Sequence, residues 1–141
     1  MTRERVFVAL GSNLGDRAAH LAHARARLAA LPDTALVSAS AVEETAPLGP
    51  VAQGPYLNQM VLLETALAPA ELLRRCLAIE AERGRARGAR WGPRTLDLDL
   101  VRFGDRVVRE PGLTLPHPEL AHRDFWRREI AELGLPVPAH D

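Results

Sequence analysis

The 141-residue sequence contains no lysine, because all 18 of its basic residues are arginine. A Walker-type phosphate loop needs its lysine, so that motif is excluded. Any phosphate contact must therefore come from arginine, from histidine or from backbone N–H groups. The single cysteine, Cys76, excludes an internal disulfide and a cysteine-based zinc site. It falls within the apolar pattern of a predicted helix, where we expect it to serve in packing.

The sequence also lacks an excess of charge of one sign and a long apolar run. Its 18 basic residues balance 18 acidic ones, which argues against binding to nucleic acid or to a membrane surface through bulk charge. No apolar segment is long enough to cross a bilayer, and none resembles a signal peptide. We therefore expect a cytoplasmic protein. Its length and its 47% hydrophobic content are ordinary for a single globular domain, residues 1–141.

One segment, residues 90–100, concentrates the residues that carry chemistry. Its second half alternates leucine with aspartate, so Asp97 and Asp99 would share one face of a strand, about 7 Å apart. Two carboxylates at that distance repel each other unless a cation lies between them, and oxygen ligands favour Mg²⁺. Most such pairs are only solvated surface carboxylates. A site is favoured here because arginines, which suit a polyphosphate, lead directly into the pair.

Hydrophobic periodicity predicts the order β-α-β-β-α-β for the first hundred residues. The strands are expected at residues 6–10, 36–44, 56–65 and around 96–100, and the helices at 17–31 and 69–84. A hairpin partner of the fourth strand at 106–109, an extended segment at 113–115 and short helices at 119–122 and 125–133 would follow. This order is that of the split β-α-β, or ferredoxin-like, arrangement with an antiparallel sheet. The terminal helices would cover the second face, which gives an α+β fold with three layers, α-β-α.

Two loops and one strand residue leave alternatives open. Residues 11–16 form a tight turn that either approaches a ligand or merely connects a strand to a helix, and the second reading is favoured. Asp16 is the predicted N-cap of that helix. The proline-containing loop at residues 45–55 is either a functional flap or disordered. Asn58 either reads a hydrogen-bonding ligand or caps this loop, and the sequence favours neither.

Five segments together resemble the 6-hydroxymethyl-7,8-dihydropterin pyrophosphokinases, a family of folate-pathway enzymes. The most specific segment is Arg-Trp-Gly-Pro-Arg-Thr-Leu-Asp-Leu-Asp at residues 90–99. The others are Gly-Ser-Asn-Leu-Gly at 11–15, Thr-Ala-Pro-Leu-Gly at 45–49, Tyr-Leu-Asn at 56–58, and Leu-Thr-Leu-Pro-His-Pro at 113–118 with Arg123 and Phe125 after it. The resemblance covers residues 6–125 and implies a three-layer α-β-α fold.

The resemblance further implies the reaction and the residues that serve it. The pterin hydroxymethyl oxygen would attack the β-phosphorus of ATP, with two Mg²⁺ ions held by Asp97 and Asp99. Arg85 and Arg94 would stabilise the transferring group. The nucleotide contacts would be Glu80, Arg87, Arg90, Leu100, Thr114, His117 and Arg123. The pterin pocket would comprise Thr45, Leu48, Tyr56, Asn58, Trp91 and Phe125. We expect a monomer whose partners are these two small molecules.

Two other functions compete with this interpretation. The first is a Mg²⁺-dependent phosphoryl or pyrophosphoryl transferase for another alcohol, although the aromatic pocket residues favour an aromatic acceptor. The second is a nucleotide- or RNA-binding module on the same scaffold. RNA-binding versions carry aromatic side chains on their central strands. Asp97 and Asp99 would instead repel phosphate in the absence of a metal ion, which argues against that module.

Overall fold

The computed structural model describes residues 2–46, 54–84 and 95–133. In these ranges the strands are β1 (Glu4–Ser12), β2 (Thr34–Ala39), β3 (Glu43–Thr45), β4 (Tyr56–Thr65), β5 (Asp97–Phe103), β6 (Val108–Glu110) and β7 (Leu113–Leu115). The helices are α1 (Arg17–Ala29), α2 (Pro69–Glu82) and α3 (Asp124–Glu132), with a 3₁₀ turn at Pro118–Ala121. Within those ranges no helix is both long and apolar enough to cross a membrane.

The main sheet runs in the order β2-β4-β1-β5, and its pairs are antiparallel. β3 pairs with β4 beyond the end of β2, and β6 and β7 form a separate two-stranded ladder. These observations confirm the predicted α+β class and the antiparallel sheet. The β4 strand spans the predicted residues, because its apolar run is bounded by Pro55 on one side and by a turn on the other.

The side chains of β1 alternate between two apolar cores, one on each face of the sheet. Val6, Val8 and Leu10 join α1 and α2 in the larger core. Phe7 and Ala9 join the smaller core, to which α3 contributes Trp126 and Ile130. Helices therefore cover both faces of the sheet. Cys76 is fully buried in the larger core, which confirms its packing role, and burial raises the pKa of its thiol to about 12.

The single strand predicted at residues 36–44 is wrong, because this segment forms two strands. The β2–β4 register shifts between Leu36 and Ser38, the paired residues of β2 end at Ala39, and pairing with β4 resumes at Glu43. Between the strands the Ser40 hydroxyl accepts a hydrogen bond from the Met60 N–H at 2.9 Å. The Ser40 N–H also donates to the Met60 carbonyl at 2.9 Å, so the backbone and the side chain of Ser40 together connect the chain to β4 between the two strands.

The predicted pairing of residues 106–109 with the aspartate strand is also wrong. β6 pairs with β7 instead, through a two-residue connection at Pro111 and Gly112. Gly112 has φ 79°, a conformation that favours glycine in such a turn. Arg106 forms an ion pair with Glu4 at 2.7 Å, next to the turn that ends β5. The extended segment at residues 113–115 is confirmed as β7, and the two C-terminal helices lie within one residue of their predicted positions.

Candidate active site

The two aspartates lie on β5 as the alternation predicted. Leu96, Leu98 and Leu100 are buried in the larger core, whereas Asp97 and Asp99 are partly exposed on the other face. The Leu98 N–H donates to the Glu80 carboxylate at 2.7 Å, and Glu80 is only 4% exposed. This contact attaches β5 to α2 midway between the two aspartates. Glu80, predicted as a nucleotide contact, therefore lies beneath the strand that carries them.

His117 lies beside Asp99, with its Nε2 atom 3.8 Å from the Asp99 Oδ1 atom. Its backbone N–H donates to the Val101 carbonyl of β5, and its Nδ1 accepts a hydrogen bond from the Glu119 N–H. Burial, and then the charge of Arg123, lower the pKa of His117. Because Nδ1 is the acceptor, the proton of the neutral ring is on Nε2 and faces the aspartate.

A cleft of about 220 Å³ opens between β5, α2 and the β6–β7 ladder. Asp99 lines it together with three of the predicted nucleotide residues, Leu100, Thr114 and His117. The remaining lining residues are Leu73, Leu98, Gly112, Leu113 and Pro118. Residues far apart in the sequence thus converge on one cavity whose wall carries a carboxylate.

Arg123 and Trp126 support His117 from the side of α3. The guanidinium carbon of Arg123 lies 4.5 Å from the centre of the Trp126 ring, in a cation–π arrangement. The His117 ring contacts the edge of the same tryptophan, with ring centres 5.0 Å apart. Sequence reasoning missed Trp126, since one tryptophan in a terminal helix has no distinguishing pattern. Phe125 packs beside it against the smaller core.

Three of the predicted pterin residues are brought together where β3 meets β4. Thr45 is paired with Tyr56 across the ladder, and the Asn58 Nδ2 donates to the Thr45 hydroxyl at 2.5 Å. Asn58 is only 7% exposed, so its amide is oriented within a nearly buried position. Tyr56 and Asn58 are two residues apart on β4 and therefore share a face of the sheet.

Gly11 connects this group to the aspartates. In the sheet register it pairs with Asn58 on β4 and with Asp97 on β5. A Cβ atom at Gly11 would lie 3.4 Å from the Asn58 Oδ1 and 3.4 Å from the Tyr56 ring. The glycine leaves this space open. The sequence interpretation assigned Gly11 to the turn, whereas the structure includes it in β1; a glycine within a strand is a signal of close approach.

The turn after β1 contains the helix cap that the sequence predicts. The Asp16 carboxylate accepts a hydrogen bond from the Ala19 N–H at 3.1 Å, which confirms the N-cap.

Six predicted site residues lie outside the residues that the structure describes: Leu48, Arg85, Arg87, Arg90, Trp91 and Arg94.

Comparison with known proteins gives one consistent result. The family model described as 7,8-dihydro-6-hydroxymethylpterin-pyrophosphokinase matches residues 7–134. A Pseudomonas aeruginosa protein is 43% identical over 131 residues, which cover 93% of this chain and 81% of the relative. A Methylorubrum extorquens protein is 43% identical over 92% of this chain and 82% of its own length, and a Bacillus subtilis protein is 40% identical over 90% and 76%. All three relatives are named 2-amino-4-hydroxy-6-hydroxymethyldihydropteridine pyrophosphokinase.

Proposed function

Because the chain belongs to the 7,8-dihydro-6-hydroxymethylpterin-pyrophosphokinase family, we propose that its reaction takes place on the sheet face shared by Asn58, Gly11 and Asp97. The chain is a pyrophosphokinase of folate biosynthesis and uses ATP as cosubstrate. The hydroxymethyl oxygen of the pterin forms a bond to the β-phosphorus of ATP and loses its proton. The bond from the β-phosphorus to the bridging oxygen breaks, and AMP leaves with that oxygen.

Asp97 and Asp99 are the residues that would hold Mg²⁺, and we assign two ions to them. Both carboxylates stand on one strand face and are partly exposed, and Asp99 borders the cleft, which suits a hard cation that keeps several water and phosphate ligands. When bound, the metal neutralises charge on the phosphate oxygens. The chain's own contribution is to fix the carboxylates, and the Glu80 contact to the Leu98 N–H supports that role.

The cleft beside Asp99 is the proposed nucleotide site. The neutral His117 offers its Nε2–H as a donor, and Thr114, which lines the same cleft, offers a hydroxyl. Arg123 adds a positive charge that is oriented by stacking on Trp126. Since the sequence has no lysine, every positively charged side chain that contacts the phosphates must be an arginine or a protonated histidine.

Asn58 is the proposed specificity residue for the pterin. Its Nδ2 is committed to Thr45, and the space over Gly11 lies against its Oδ1. A fixed amide in a nearly buried position discriminates strongly, because a ligand that leaves it unpaired incurs a desolvation penalty. Tyr56 contributes an aromatic face next to the same space. We also assign the fold to the ferredoxin-like class, which the order β2-β4-β1-β5 with α1 and α2 on one face supports, and we propose that the protein is a monomer.

The observation that carries this proposal is the shared row of Asn58, Gly11 and Asp97. Calorimetric titrations of two variants test it. Asn58→Ala should weaken binding of the pterin roughly tenfold or more, given the usual value of a buried hydrogen bond, while binding of a non-hydrolysable ATP analogue with Mg²⁺ stays within about twofold. Arg123→Ala should weaken binding of the ATP analogue by a similar factor and leave binding of the pterin within about twofold. If each variant weakens both ligands equally, the division into a pterin side and a nucleotide side is wrong.

A further inference from the structure

Arg17, the first residue of α1, contacts two segments that flank the pterin residues. Its Nη1 atom donates to the Glu44 carboxylate of β3 at 3.0 Å. The same atom donates to the Pro55 carbonyl, directly before β4, at 2.9 Å. One side chain thus joins the end of β3 to the start of β4, although these partners are 27 and 38 residues away in the sequence.

Asn13, in the connection between β1 and α1, makes a second contact with the segment that precedes β4. The Asn13 Nδ2 donates to the Gly54 carbonyl at 3.2 Å, one residue before the Arg17 contact. The Asp16 cap fixes where α1 begins, and so fixes the origin of the arginine side chain. The segment at residues 11–17, Gly-Ser-Asn-Leu-Gly-Asp-Arg, therefore contacts β3 and the residues that directly precede β4.

The strand that Arg17 tethers is short, and it is also held from α3, where Arg128 forms an ion pair with Glu43 at 3.1 Å. β3 is three residues long, and its ladder with β4 consists of three residue pairs. Thr45, the last of these residues, accepts the hydrogen bond that orients Asn58. A displacement of β3 would therefore change the direction of the Asn58 amide and the spacing between Thr45 and Tyr56.

We propose that Arg17 is a positioning residue for the pterin pocket, which it keeps in register by tethering β3 and β4 together. This inference rests on the proposed function, because it assumes that Thr45, Tyr56 and Asn58 receive the pterin. Arg17 itself touches Glu44 and Pro55, and its role is carried through them. The ion pair is partly exposed, with 30% of the Arg17 and 55% of the Glu44 side chain accessible, so it contributes little to global stability.

The test compares steady-state kinetics of four variants with the wild type. Arg17→Ala should raise the KM for the pterin roughly five- to fiftyfold, because a small displacement at a binding site has large effects. The KM for ATP and the melting temperature should stay near the wild-type values. Arg17→Lys keeps the charge but loses the guanidinium fork, so it should recover part of the loss. Arg5→Ala is the matched control, since it removes an Arg–Glu pair between β1 and β4 at the far end of these strands.

Each outcome has a distinct meaning when Asn58→Ala is measured in parallel. If Asn58→Ala raises the KM for the pterin and Arg17→Ala does not, the positioning role is refuted while the pocket stands. If neither variant changes it, the proposed pocket itself is wrong. If Arg17→Ala lowers the melting temperature and raises the KM values for both substrates alike, the arginine stabilises the whole fold and the inference is overturned.

Discussion

Asn58 of β4 and Asp97 of β5 lie on opposite sides of one residue, Gly11 of β1. Neighbouring strands are about 4.8 Å apart, so two strand spacings, roughly 10 Å, separate the two residues. The hydroxymethyl group of a pterin held at Asn58 would project across the glycine toward the aspartates. In the proposed function, this relationship would let one sheet face serve an organic acceptor and a metal–phosphate group together.

Gly11→Ala tests whether this space is used. The added Cβ would make contacts of 3.4 Å with Asn58 and with Tyr56, which the fold accommodates at ordinary van der Waals distance. We expect a melting temperature close to that of the wild type and a KM for the pterin raised roughly tenfold, because the methyl group occupies substrate space. The KM for ATP should change much less. A variant with wild-type kinetics would show that the substrate does not pass over Gly11.

Substitution of the aspartates tests the metal site. Asp97→Ala or Asp99→Ala should lower kcat by roughly a thousandfold or more, since each removes a proposed ligand of the Mg²⁺ ions that would neutralise the phosphates. The partly exposed positions predict little loss of stability, which circular dichroism and thermal melting would check. Asp105→Ala, at the exposed turn after β5, is the matched control and should keep full activity. Wild-type rates in both site variants would refute the assignment.

Glu80 tests the attachment of β5 to α2. Glu80→Ala would leave the buried Leu98 N–H without its acceptor, which costs about 1–3 kcal/mol in the free energy of unfolding. It should also lower activity by displacing the neighbouring aspartates. Glu80→Gln keeps an acceptor oxygen, so urea unfolding of this variant should be closer to the wild type. Equal stability of both variants and the wild type would contradict the structural role.

The buried carboxyl group of Glu129 should make the stability of the protein depend on pH in an unusual way. It is 1% exposed, and burial, reinforced by the nearby Glu43, raises its pKa from 4.5 to about 8. Arg128 lowers this pKa and Glu132 raises it, both by smaller amounts. The folded protein therefore keeps a proton that the unfolded chain releases above pH 4.5. Stability should fall by about 1.4 kcal/mol per pH unit between these two values, and the contribution is lost once pH passes about 8.

Glu129→Gln removes that titration and should be more stable than the wild type, by a margin that grows from pH 5 to pH 8. Urea unfolding at several pH values in this window measures the margin. Glu110→Gln changes an exposed carboxylate of β6 and should follow the wild type at every pH. A constant difference between Glu129→Gln and the wild type would mean that Glu129 is ionised in the folded protein.

Local sequence patterns predicted the elements whose character is set by their own residues. The β4 strand and the opposed faces of β5 follow from periodicity, and α1 follows from its apolar stripe and the Asp16 cap. The pairing of β6 with β7 does not follow from local patterns, because turn residues stand both at Gly104, which suggests a hairpin with β5, and at Pro111 and Gly112. Both are plausible turns, and only tertiary packing decides between them.

The parts of the site that the sequence did not predict depend on contacts between distant segments. Gly11 becomes informative only when its partners on both sides are known. The Arg17 tether joins residues 27 and 38 positions away, a separation that no local pattern encodes. Glu129 resembles the other charged residues of α3, and its burial follows from how that helix rests on the sheet.

The measurement that tests the central claim most directly is nucleotide release from ATP and Mg²⁺, with and without 6-hydroxymethyl-7,8-dihydropterin. The account predicts AMP, formed only when the pterin is present and in equal amount to the pterin pyrophosphate. Removal of divalent ions with a chelator should stop it. Release of ADP would contradict attack at the β-phosphorus, and AMP release independent of the pterin would contradict the assignment of the acceptor.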